Sequence, residues 1–170
     1  VSGRELGGYD ERFADDDGSP DEVVRDRLVA AGSGRPEAYL DAVVALCGAR
    51  LLVPVLAAGD ETLTPDPNRE GDVSAVLLQR PDGARALPVF TGSDSAAAWH
   101  PQARPIPATL DRVAQTALAE GAGTVLVDVV GPAPLTIEGE VLGELAQGHR
   151  LVRLPDGFGW ARTAPAEPTE

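Results

Sequence analysis

Cysteine occurs once in this 170-residue chain, as Cys47, which excludes an intramolecular disulfide and any cysteine-based zinc cluster. A single thiol fits a reducing compartment. Lysine is missing altogether: all fourteen basic residues are Arg, so Schiff-base chemistry and the phosphate-binding lysine of a P-loop are excluded. Histidine appears only as His100 and His149, so an imidazole pair or a histidine metal site would need both in one place. No apolar run approaches the roughly 20 residues of a membrane-spanning helix. The opening Val1-Ser2-Gly3-Arg4-Glu5 lacks the basic-then-apolar order of a signal peptide, and the expectation is a cytoplasmic protein without membrane contact.

What the chain has in excess is acid. The net charge is −13, but residues 1–22 carry eight acids against two arginines, and residues 163–170 carry two further acids. The middle of the chain is only mildly acidic. No basic cluster lies on any expected element, so nothing there would displace counterions from phosphates, and nucleic acid is not expected as a partner. Neither end has an apolar period. Residues 1–17 are expected to be a mobile acidic tail, residues 18–162 one domain, and residues 163–170 a disordered tail. A tail that engages a basic protein is the functional alternative for the first segment. A hydrophobic content of 43% is enough for a single core.

The organisation reads as strands mixed with helices. Ser19-Pro20-Asp21-Glu22 has the form of a capping box, with Ser19 as cap and Val24, Leu28 and Ala31 on the buried face. A second helix begins at Pro36, with Leu40, Val43, Val44 and Cys47 as its stripe, and residues 51–56 form an apolar strand. Residues 58–72, rich in Gly, Pro and acid, read as a long loop, either a lid or an insertion. Strands over residues 73–80 and 85–91 flank Pro81-Asp82-Gly83, a hairpin turn with a left-handed glycine. Ser93 or Asp94 is expected to cap a short helix ending at Trp99. Leu110, Val113, Ala114, Ala117 and Leu118 line one helical face after Thr109. Residues 124–130 read as a central strand with Asp128 inside it, followed by a short strand at 135–137 and a helix carrying Val141, Leu142, Leu145 and Ala146. Pro155-Asp156-Gly157 repeats the first hairpin's turn chemistry. Together these give an α+β fold, a mixed β-sheet with two hairpins packed against amphipathic helices. Pro54 and Pro88 lack donors, so their strands should be edges or should aim those positions away from a partner.

Tests for chemistry mostly fail. Setting Gly18 at the glycine of a calcium loop places Phe13 at the first ligand and Val24 at the last. Gly32-Ser33-Gly34 and Gly121-Ala122-Gly123 lack the third glycine of a dinucleotide fingerprint. Cys47 faces inward and reads as packing. His149 suits a helix C-terminus, and His100 is a polar tip beside Trp99. Asp128 is either a buried acid–base group or a structurally paired carboxylate. No catalytic, metal or cofactor site is expected.

One stretch resembles a known family. Leu51-Leu52-Val53-Pro54-Val55, Asp82-Gly83 with Ala86-Leu87-Pro88-Val89-Phe90-Thr91, Trp99, and the helix before Glu120-Gly121-Ala122 follow in the order and spacing of the SseB N-terminal domain. This is the serine-sensitivity family, not the type III secretion translocator of the same letters, and the likeness covers about residues 36–148. The resemblance implies a bacterial protein without agreed catalytic residues. The functional expectation is a non-catalytic protein-interaction module in a cytoplasmic complex, with Phe90, Trp99 and His100 as binding residues. There Trp99 serves either as an interface anchor or as a core plug, and the strand at 85–91 offers an edge for an extended peptide. The alternative is a small-molecule sensor or enzyme with a site at Asp128 and a histidine.

Overall fold

The computed structural model describes residues 11–56 and 74–162. The expected 58–72 loop, the 163–170 tail and the first ten residues of the N-terminal tail lie outside the described residues. The α+β expectation holds. In chain order the elements are α1 (Glu22–Ala31), α2 (Pro36–Cys47), β1 (Leu51–Leu56), β2 (Ser74–Ala75), β3 (Leu78–Gln79), β4 (Arg85–Val89), α3 (Ser93–Trp99), β5 (Arg104–Ala108), α4 (Leu110–Ala119), β6 (Thr124–Val127), β7 (Leu135–Glu138), α5 (Gly139–Ala146), β8 (Arg150–Leu154) and β9 (Gly157–Ala161).

Among the described residues three ladders run β2-β1-β5, β3-β4-β6-β7 and β8-β9, with only the β4–β6 pair parallel. The first two are joined at one antiparallel bridge, where Leu52 and Phe90 exchange both backbone hydrogen bonds at 2.8 and 2.9 Å. In an antiparallel ladder the next such pair would be Pro54 with Pro88, and neither has an N–H. The ladder stops there, and β1 and β4 part. The segment expected as one strand over 73–80 spans this opening: β2 pairs with β1, the Val76 amide bonds the Pro54 carbonyl at 3.1 Å, and β3 pairs with β4. So neither proline strand is an edge, because each turns its missing donor toward the seam.

Side-chain alternation sends Leu51, Val53, Leu87, Val89, Val125, Val127, Leu135 and Ile137 to one face. There they meet Ala42, Val43 and Leu46 of α2, Leu110, Val113, Ala114 and Ala117 of α4, and Leu142 and Leu145 of α5, all in one apolar cluster. Each fully buried Leu or Ile contributes about 1.5–3 kcal/mol through burial. The β8-β9 hairpin adds Leu151 to the same cluster, with Phe158 and Trp160 packed at its margin. The opposite face carries a much smaller cluster of Leu52, Phe90 and Ala96, flanked by Trp99 and Val129.

Several local expectations are corrected. Asp21, not Ser19, caps α1: its carboxylate accepts from the Val23 and Val24 amides at 2.9 and 3.3 Å, so the helix starts later. The α2 stripe centres on Ala38, Ala42, Val43 and Leu46, with Leu40, Val44 and Cys47 half-buried beside it. Leu118 of α4 is 46% exposed. β5 was not expected, since Arg104-Pro105-Ile106-Pro107-Ala108 has two prolines. It is tolerated because it pairs on one side only. The β6 strand ends at Val127. Asp128 follows it with φ 48°, a left-handed conformation that Asp adopts more readily than a β-branched residue. The two hairpin turns also differ, since Arg80–Ala84 closes a five-residue loop between Gln79 and Arg85, whereas Leu154 pairs directly with Gly157.

Candidate functional site

The region around α3 holds the expected binding residues, and it is built outward from Thr91-Gly92. Gly92 is extended, with φ −154°, and caps α3 without a side chain, so neither Ser93 nor Asp94 is the cap. A Cβ on Gly92 would lie 2.6 Å from Asp94 Oδ1 and 3.0 Å from Pro20 Cβ. Space, not torsion, demands glycine here. Asp94 turns away from capping to accept two hydrogen bonds from Arg25 of α1, at 2.6 and 2.7 Å, and this lowers its pKa below the ordinary carboxylate value.

Beneath α3 lies Asp128, 3% exposed. Its Oδ1 accepts from the Thr91 amide at 2.9 Å and lies 2.8 Å from Ser95 Oγ, while its Oδ2 accepts from Thr91 Oγ1 at 2.6 Å. Thr91 Oγ1 in turn accepts from Arg25 Nε at 3.2 Å, and the Thr91 carbonyl accepts from Arg50 at 3.0 Å. Both carboxylate oxygens are thus committed to donors that fix the β4–α3 junction. Of the two readings of Asp128, the geometry is that of the paired structural carboxylate.

Trp99 closes the small cluster from its far end. Its ring centroid lies 5.6 Å from that of Phe90 at an interplanar angle of 35°, and it is half-buried. Phe90 is fully buried, so it supports the tryptophan from below. His100 ends α3 in extended conformation, its ring 5.7 Å from Trp99, with a buried Nδ1 that has no hydrogen-bond partner. Val130, in the turn after Asp128, is 50% exposed. The expected peptide-accepting edge on β4 does not exist: β6 lines one side, and β3 with the Leu52 bridge lines the other.

The remaining candidates are His149 and Cys47. His149 follows the C-terminus of α5, as expected, with Nδ1 2.5 Å from Glu144 Oε2. Cys47 ends α2, and burial pushes its thiol pKa up, against the smaller opposing effects of a Leu151 backbone hydrogen bond and the Arg150 charge. Among the described residues, no hydrogen bond or ion pair joins Asp128 to either histidine, and no group of three His, Cys, Asp or Glu could hold a metal ion. No described helix is long and apolar enough to cross a membrane.

The order found here, an apolar strand ending in Phe90-Thr91, a short helix ending in Trp99, then the helix before Glu120-Gly121, can be compared with known families. The SseB protein N-terminal domain matches residues 24–144. This chain belongs to the SseB family. No curated protein and no solved structure matches it. Within this SseB-family chain the matched span runs from most of α1 through most of α5, including Arg25, Arg50, Thr91, Asp94, Ser95 and Asp128. The β8-β9 hairpin and residues 11–23 fall outside it. The roles of Arg25 and Arg50, and the pairing of Asp94 with Arg25, are not legible in the sequence, because the partners sit some 40–70 positions away. The one usable signal was the polar run Thr91-Gly92-Ser93-Asp94-Ser95 directly after a buried strand.

Proposed function

We propose that this SseB-family domain is a non-catalytic protein-interaction module of a cytoplasmic complex, and that its partner docks at the C-terminal end of α3. The partner is a protein, not a nucleic acid or a membrane, and no cofactor takes part. One observation carries the reading: Trp99 stands half-buried on a fully buried Phe90, with part of its ring left at the surface beside His100. Aromatic anchors on rigid supports dominate protein interfaces, and Asp128 with Arg25 and Arg50 holds α3 rigidly. The partner's matching chemistry is an apolar side chain over the Trp99 ring.

Crosslinked capture from the native host tests this, comparing the full chain with Trp99→Ala and His100→Ala. Trp99→Ala should keep its fold, lose less than the roughly 3–5 kcal/mol of a fully buried tryptophan, and lose the captured protein. An unchanged set of captured proteins would sink the proposal. So would a blue-shifted, quencher-protected Trp99 emission measured in a Trp160→Phe background, since Trp99 would then be a core plug.

A further inference from the structure

Residues 11–19 run over the start of α3 and are held in an unusual way. None of them is buried, and none belongs to either apolar cluster. Their attachment is polar. Arg50, with its side chain only 13% exposed, pairs through Nε with Asp16 Oδ2 at 2.8 Å and donates to the Ser19 carbonyl at 2.6 Å. The Ser93 amide donates to the Gly18 carbonyl at 2.8 Å. Gly18 is left-handed, with φ 76°, and a Cβ there would press within 3.1 Å of Ser93. Immediately beyond, Pro20 packs over Gly92, and Val24 and Leu28 of α1 enter the main core.

A segment tied to the domain by polar contacts and entering neither apolar cluster, next to one anchored by apolar burial, opens at a lower free energy than its neighbour. We propose that residues 11–19 form an ionic latch, which undocks from the folded domain as a unit with Arg50 as its catch. The latch occupies the carboxylate-binding positions of Arg50, so a carboxylate from elsewhere reaches that guanidinium only when the latch is open. The family match begins at residue 24, so the latch lies outside the matched span. The proposal is independent of what binds at Trp99.

Ser93 supplies a specific readout. As the first residue of α3 it has no acceptor within its helix, and Gly18 alone accepts its amide proton. Amide exchange of the full chain, followed by NMR, should show Ser93 exchanging at least about tenfold faster in Asp16→Asn, the scale of one lost charge-assisted bond. The Val113 amide in α4 should keep its rate. Salt of about 1 M should accelerate Ser93 in the parent chain, because the Debye length falls to about 3 Å. Gly18→Ala should act without any change of charge. The latch is refuted if Ser93 and Val113 open with equal free energy, if Asp16→Asn and salt both leave Ser93 unchanged, or if only Gly18→Ala accelerates it.

Discussion

On the helix-covered face of the sheet, Leu51, Val53, Leu87, Val89, Val125 and Ile137 meet three helices with no polar side chain among them. On the other face, three buried apolar residues share the work with Asp128, Thr91, Ser95 and two arginines. Apolar burial is non-directional: it rewards volume and tolerates rearrangement. A hydrogen-bonded carboxylate rewards one geometry and penalises every other. The first face therefore supplies most of the folding free energy, and the second fixes the angle at which α3 leaves the sheet. The proposed interface sits on the second face, where position matters more than stability.

Substitutions in matched pairs can break this comparison. Asp128→Ala should have the largest effect, about 4 kcal/mol in urea unfolding, because it strands the Thr91 amide and forces alanine into a left-handed conformation. Asp128→Asn keeps the shape yet should recover only part of that loss, since it offers an amide N–H₂ where donors already point. On the apolar face, Leu87→Ala should cost about 3 kcal/mol while Leu87→Met costs less than about 1.5. If Asp128→Asn proved neutral and Leu87→Met ruinous, the division of labour would be reversed. The smallest effect is acid sensitivity. Asp94 has its pKa lowered chiefly by the Arg25 hydrogen bonds, so its contribution is complete above the ordinary carboxylate pKa of about 3.9 and is lost as pH falls through the lower folded value. Because Asp94 is largely exposed, Asp94→Asn should lower stability at neutral pH by less than about 1 kcal/mol, and the gap to the parent chain should close as pH falls through the lowered folded value.

Helix and strand limits were legible where local chemistry sets them. Pro36 with Gly48 bounds α2, the apolar 51–56 run is β1, and α3 ends at Trp99 as read. Other features depend on partners far away in sequence. The strand role of Arg104-Pro105-Ile106-Pro107-Ala108 exists only because β1 offers it one paired side. The end of β6 was hidden because Val129 and Val130 continue the apolar run past the left-handed Asp128. The edge expected at Pro88 failed for the same reason, since proline reports a missing donor without saying which neighbour tolerates it. At the site, sequence found the aromatic residues and offered Asp128 as a paired carboxylate, but missed the arginines that frame it.

The facing prolines at positions 54 and 88 also have a mechanical meaning. A sheet bonded across its full width shares a shearing load over many hydrogen bonds. Here the backbone ties between β1 and β4 are the two at Leu52 and Phe90, backed by the strand that crosses from β2 to β3. Tension between the two halves is thus concentrated on the residue pair that forms the floor under Trp99, and any pull that opens the seam tilts the tryptophan with it.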